Sequence, residues 1–273
     1  MVRAMNNSTA AFPTTELRPL NGTTELAVAE ATAQPGSRPQ KVSCVLNAIF
    51  ATIGEERVTL AVVRQLPCGT REWLLQQAAQ YFYPDVRWFE SHCTHCGHPY
   101  DLSLNLADAA SYQPESDVLQ VEVETSLGMR SFFIPNGAHE EAFAKAGPIG
   151  DPRRRFAALC GLSEQAEKEA MQFDEDDIVH IDHAIEAASP DVSVETTMTC
   201  PFCGKSTTAR IDPLLFAFPH EGTILQETHL IAMAYGWPHD QILGLKVRHR
   251  SALAAMIARD YRQTRRPTSW KTL

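Results

Sequence analysis

The sequence predicts an α+β fold, a mostly helical body with short antiparallel hairpins. Three observations carry this expectation. Apolar residues recur at helical spacing in several segments, such as Val42, Val45, Leu46 and Ile49, or Ile178, Ile181 and Ile185. Other segments change to a strand-like pattern, apolar at every second position. Two of the strand-like regions turn at the same tip, Cys-x-x-Cys-Gly, at Cys93–Gly97 and Cys200–Gly204. The 273 residues, 44% hydrophobic and 21% charged, suit one or two globular domains. No run approaches the roughly 18 apolar residues of a membrane span. Met1 to Ala10 lacks the apolar stretch of a secretory leader.

Along the chain, residues 1–40 are rich in Thr, Ala, Pro and Asn and read as an extended or loosely ordered arm, with Pro35–Pro39 as a loop. A helix with Val42, Val45, Leu46, Ile49 and Phe50 on one face follows, then a break at Gly54 and a short apolar stretch from Val58 to Leu66. Thr70 is the expected N-cap of a helix beginning Arg71-Glu72-Trp73-Leu74-Leu75. Val86, Trp88 and the series Leu102, Leu104, Leu106 flank the first cysteine tip as a hairpin. Val118, Val121 and Val123, then a Leu-Gly-Met turn and Phe132 to Ile134, predict a second hairpin. Residues 138–186 read as helices broken near 147–152 and 173–177, with Asp174-Glu175-Asp176-Asp177 starting the last of them. A third hairpin spans 192–212, led by Val192 and Val194. Helices are then expected over 223–235, 240–245 and 248–261, with a break at Gly236-Trp237-Pro238.

The net charge is -9, and its distribution is uneven. Lys246 to Leu273 carries eight Lys or Arg (Lys246, Arg248, Arg250, Arg259, Arg262, Arg265, Arg266, Lys271) against Asp260, which leaves 16 basic and 32 acidic residues before it. An acidic body argues against a general nucleic-acid binder. The basic run reads either as a solvated helix and end or as a docking segment for an acidic partner.

Seven cysteines, an odd number with no secretory leader, make a disulfide framework a poor account. Two cysteines three apart place both sulfurs on one cation, and the glycine after the second permits the left-handed backbone of such a knuckle. Cys93, Cys96, Cys200 and Cys203 therefore supply the closed tetrahedral set of one structural zinc site per chain. A closed set leaves no open coordination position for catalysis. About a hundred residues separate the two pairs, where compact ribbons use roughly 15–20. The expected layout is a zinc-clamped α+β domain over 41–245 carrying an inserted subdomain, 109–190, and a basic C-terminal helix and tail, 246–273. A redox reading needs a βαβ context that neither knuckle has. His92, His95 and His98 read as solvated or as supporting the ligands, and Cys44, Cys68 and Cys160 as buried thiols. His180 and His183 share a helix face, but no third ligand accompanies them. No nucleophile elbow, phosphate loop, dinucleotide fingerprint or zinc-protease helix is present, so no enzyme and no small-molecule substrate is expected.

Five sequence elements also occur in a familiar order. They are Leu17-Arg18-Pro19-Leu20-Asn21-Gly22; Leu66-Pro67-Cys68-Gly69-Thr70-Arg71-Glu72-Trp73-Leu74-Leu75; the two knuckles; and His229 to Trp237 with Ile242-Leu243-Gly244-Leu245 and Arg248 and Arg250. Over roughly 16–262 the chain resembles the zinc-ribbon-bearing baseplate proteins of contractile injection systems and contractile-tailed phages, relatives of the T-even phage baseplate hub assembly chaperone. It departs from them at Thr94, where a Pro is usual, and at Cys68-Gly69-Thr70-Arg71, where a Val-Gly-Asp-Arg type turn is common. The resemblance implies a structural or assembly component of a baseplate. Its partners would be baseplate, hub or tail-tube proteins, met in the cytoplasm during assembly or within the phage or injection-system particle. Arg71, Tyr235 and Trp237 fall on family-like positions and, with Arg248 and Arg250, are the candidate partner contacts. Structural roles, an ion pair for Arg71 and packing for the aromatics, are the alternative. The rival function is a zinc-ribbon nucleic-acid binder.

Overall fold

Why the N-terminal region folds at all is the first question, because its composition suggested an arm. The computed structural model describes residues 12–264, apart from 83–85, 106–110, 115–117, 149, 193–194 and 211. Within that range Thr15–Leu17 forms β1, Gly22–Ala33 forms α1, and α2 (Arg38–Ile49) begins at the expected loop. The Asn21 side chain accepts from the Thr24 N–H and caps α1. Val28, Ala29 and Ala31 are buried, so the Ala/Thr-rich segment is a packed helix and not a loose arm. The structure corrects the sequence reading there: alanine content and a cap outweigh the loop-like composition. Val194, Leu106 and Arg265, Arg266 and Lys271 lie outside the described residues.

α2 leads into β2 (Phe50–Ile53) and β3 (Glu56–Arg57), which with β1 make a three-stranded antiparallel sheet in the order β1-β2-β3. Phe50, expected on the helix, is the first strand residue. α3 (Leu60–Gln65) and α4 (Cys68–Phe82) follow. α4 starts two residues before the expected cap, and Thr70 lies buried in its first turn. The predicted hairpins are all present: β4 (Arg87–His92) with β5 (Pro99–Leu104), β7 (Gln120–Thr125) with β8 (Gly128–Phe133), and β10 (Glu195–Thr199) with β11 (Ser206–Arg210). One pairing was not anticipated. β6 (Ser111–Tyr112) meets β9 (Asp191–Val192), and two-residue strands leave no periodicity to read. The helical insert is α5 (Gly137–Lys145), α6 (Pro152–Cys160), α7 (Ala166–Gln172) and α8 (Glu175–Ala188). The chain ends in α9 (Pro213–Phe216), α10 (Glu221–Tyr235), α11 (His239–Leu243) and α12 (Val247–Thr264). No described helix is long and apolar enough to cross a membrane.

Three apolar clusters result. The largest joins α1, α2 and α4 to both cysteine hairpins, through Phe89, Tyr100, Leu102 and Ala209. A second lies in the insert, around Phe132, Phe173, Ile178 and Ile181, and a third between α10, α11 and α12 around Ile231, Ile242 and Ile257.

Two buried arginines tie these parts together: Arg71 takes the structural ion pair the sequence offered for it, and Arg250 corrects the expectation of a partner contact. Arg71 is fully buried. It donates to the Ser43 hydroxyl at 3.0 Å and to the carbonyls of Val63 at 3.1 Å and Pro39 at 2.8 Å, and pairs with Glu140 at 3.3 Å. Arg250 is equally buried, donating to Glu227 at 2.9 Å and to Glu25. Neither can touch a partner, because a guanidinium buried among carboxylates and carbonyls is already spent on its own fold. Glycine makes room for each: a Cβ on Gly137 would stand 2.1 Å from Arg71 Nη1, and one on Gly22 would stand 2.5 Å from Arg250 Nη1.

Asp177 anchors α8 to the β7–β8 turn. Its carboxylate accepts from the Ser126 N–H at 2.7 Å, the Ser126 hydroxyl at 2.5 Å and the Asp174 N–H at 3.1 Å. Burial alone would raise its pKa, but these hydrogen bonds prevail and hold it below the ordinary 3.8.

Gly137→Ala should cost about 1–3 kcal/mol in urea unfolding through overpacking against Arg71. Gly222→Ala, within α10 and with nothing inside 4 Å of its Cβ, should be neutral or stabilising. For Asp177→Asn, a depressed folded pKa means stability that is present above 3.8 and lost as pH falls through the folded value. The wild-type advantage in urea midpoint should therefore be full at neutral pH and shrink progressively in acid below that pH.

Candidate metal centre

Each knuckle is built by the same local chemistry. In the first, the Cys93 N–H donates to the His98 carbonyl at 3.0 Å and the Gly97 N–H to the Cys93 carbonyl at 2.9 Å. In the second, the Cys200 N–H donates to the Lys205 carbonyl at 2.9 Å and the Gly204 N–H to the Cys200 carbonyl at 3.0 Å. Gly97 and Gly204 have φ of 71° and 69°, the left-handed conformation that closes each turn. Both cysteines of each pair then face the other knuckle.

All four sulfurs lie within 4.8 Å of one another. Cys93 and Cys203 Sγ are 3.7 Å apart, and Cys96 and Cys200 Sγ 3.8 Å. A tetrahedron with metal–sulfur bonds of about 2.3 Å has edges of about 3.8 Å, so these separations suit one ion at the centre. The cluster can hold one metal ion, and it joins hairpins whose cysteines are 104 and 110 residues apart in the chain. Cys93 and Cys200 are buried against the main core, Cys96 is half-buried, and Cys203 is exposed.

The electrostatics of the cluster point the same way. The Cys93 thiol is lowered to about 6, chiefly by the Cys96 N–H, with the His95 N–H and neighbouring thiols adding to it. Cys96 is pushed up to about 12: the His98 N–H pulls it down, but burial and the sulfurs of Cys93, Cys203 and Cys200 outweigh that. Four sulfurs this close cannot all ionise on their own, because like charges suppress one another. A divalent cation removes that conflict and takes the thiolates.

The histidines have other work. His95 Nε2 donates to the Ser206 carbonyl at 2.9 Å, crossing from one knuckle to the other hairpin. The Thr94 N–H donates to Thr207 Oγ1 at 3.1 Å beside it, and His98 stacks on Phe202 with centroids 4.9 Å apart. The Thr94 N–H makes a cross-link that a proline at this position could not. Cys68 is pushed well above 9.0 and Cys160 up to about 12, both by burial, so these thiols stay protonated. Among the described residues no third ligand joins His180 and His183, which are exposed on α8. Tyr235, Trp237 and Arg248 are exposed, with the two aromatic rings 5.4 Å apart.

No protein-family model matches the chain, no curated protein matches its sequence, and no solved structure matches its fold.

Metal analysis of the purified chain should give one ion per molecule. Cys93→Ser or Cys200→Ser, at the buried corners, should abolish metal retention and leave the protein insoluble or unfolded. Exposed Cys203→Ser should weaken retention with less loss of solubility. Strong chelation of the wild type should lower its melting temperature, and adding the ion back should restore it.

Proposed function

We propose that this chain is a non-catalytic, zinc-stabilised structural or assembly component of a contractile tail or injection-system baseplate, acting through protein–protein contacts. The observation that carries the structural part of the proposal is the four-sulfur cluster, which unites two hairpins from distant parts of the chain into the main core. Zinc is the metal we assign, because a closed set of four thiolates is its usual structural site. Such coordination would contribute on the order of 10 kcal/mol to folding, comparable with the whole stability of a domain.

The baseplate assignment rests on the ordered sequence elements, and their meeting in space supports reading them as one unit. Asn21 bridges Lys246, and a Cβ on Gly22 would strike Leu243 and Arg250. The first and last elements are therefore one packing site. Tyr235, Trp237 and Arg248 remain as the partner-facing residues of this reading, with Met233 exposed on the same helix end.

A second reading, a nucleic-acid-binding zinc ribbon, draws on α12. Lys246 just before it and Arg248, Arg259 and Arg262 along it are exposed.

The deciding experiment co-expresses the tagged chain with neighbouring tail proteins and follows it by pull-down and particle purification. We expect capture of a baseplate, hub or tube protein, lost in Tyr235→Ala/Trp237→Ala protein that still holds zinc. Recovery of no tail protein, together with a gel shift on random DNA or RNA that weakens steeply with salt, would replace this reading with the nucleic-acid one.

A further inference from the structure

Away from the cysteines, two cavities share a wall. One, of about 600 Å³, lies between the start of α4, the β6–β9 pair and the end of α8, and includes Cys68, Tyr112 and Pro190. The other, of about 390 Å³, lies between α8, α6 and α5, and includes Phe143, Phe156 and Ile181. Pro135, Ile185 and Glu186 line both, so the two adjoin along α8 as one grooved face.

The groove has an apolar floor and an acidic rim. Ile181 and Ile185 lie one helical turn apart on α8, and Asp182 and Glu186 run beside them at the same spacing. Asp191 and Glu72 extend the acidic side, with Glu72 already paired to Arg38 at 2.5 Å. Arg153 is the one cation among the described lining residues, and it is engaged by Glu175 at 2.8 Å. Asp182, Glu186 and Asp191 have no salt bridge among the described residues. Asp182 is raised chiefly by burial, with Arg153 and His183 opposing and Glu186 and Asp151 adding to the rise, and a second cation, Arg155, is stacked over the Phe143 ring, 4.2 Å from its centroid.

The shape is built in. A Cβ on Gly69 would stand 1.7 Å from the Pro190 carbonyl oxygen, so the start of α4 and the chain after α8 touch backbone to backbone. From Ile181 to Ser189 the wall runs about 12 Å along the helix. That length suits a peptide better than a compact ligand.

We propose that this groove docks a basic amphipathic peptide segment of a protein partner, its apolar residues on Ile185, Phe143 and Phe156 and its Lys or Arg side chains on Asp182, Glu186 and Asp191. Charge complementarity selects the occupant, since cationic side chains one turn apart match carboxylates at that spacing. The inference builds on the reading of the chain as an interaction protein and adds a second surface, separate from Tyr235 and Trp237.

The test uses the full-length, zinc-loaded chain and a fluorescent amphipathic peptide with Leu on one face and Lys beside it. The control peptide carries Glu in place of Lys. We expect binding of the Lys peptide alone, weakened about tenfold or more by Glu186→Lys, equivalent to about 1.4 kcal/mol. The Asp182→Lys/Glu186→Lys double variant should instead prefer the Glu peptide. Glu186 is exposed, so its single variant keeps the test valid if the double variant misfolds. Equal binding of both peptides, or Lys-peptide affinity unchanged by Glu186→Lys, overturns the proposal. So does a concentration-dependent dimer that Glu186→Lys abolishes, which would assign the groove to the basic C-terminal run of a second copy. Each of these outcomes leaves capture of tail proteins through Tyr235 and Trp237 intact, so the two readings fail separately.

Discussion

The mutual repulsion of four cysteine sulfurs is the constraint on which the rest of the molecule depends. Each cysteine pair sits at the tip of a two-stranded hairpin, and isolated two-stranded hairpins are marginal in water. The hairpins gain their stability by joining the main core through Phe89, Tyr100, Leu102 and Ala209. That placement brings the sulfurs into a cluster that is unfavourable when ionised without a cation. A bound cation would reverse the sign of the term and hold the two hairpins together. The threonine and histidine cross-links from Thr94 and His95 set the alignment of the two knuckles without occupying a ligand position.

The second organising device is the pairing of a buried arginine with a glycine. Arg71 links α4 to α2, α3 and α5, and Arg250 links α12 to α1 and α10. Each is costly to desolvate, and each is held because carbonyls or carboxylates surround it. The opposite backbone must approach closely for that to happen, and only a glycine leaves the space. Three glycines without obvious turn roles in the sequence, Gly22, Gly69 and Gly137, thus mark where separate helices and loops meet.

Local features were the legible part of the sequence. The knuckles, the three hairpins, the breaks in the insert and the acidic start of α8 all announce themselves within a dozen residues, through period, turn glycines or caps. The four-cysteine site was legible despite its long insert because its chemistry is local to each pair. What depended on distant partners was not. For Arg71 the sequence offered an ion pair beside a partner contact, and for Arg250 only the contact, since nothing near either shows that groups from other helices will bury it. The packing of α1 was hidden for the same reason, and so was the β6–β9 pair. The groove is also a product of assembly, since its walls come from residues 68 through 191.

These features connect through chain order. The insert leaves the main body just after the first knuckle and returns just before the second, so the cysteine cluster fixes both of its ends. The groove has one wall on α4, ahead of the first knuckle, and the other on α8, inside the insert. The clamp therefore limits how far those walls can separate. The Arg71–Glu140 pair and the Gly69–Pro190 contact hold the same boundary from the other side. A surface fixed at both margins can be preformed, and preformed surfaces lose less conformational entropy when a partner arrives. If the proposed peptide docks there, a metal bound at the cluster would contribute to recognition without touching the partner, by limiting how far the two walls of the groove separate.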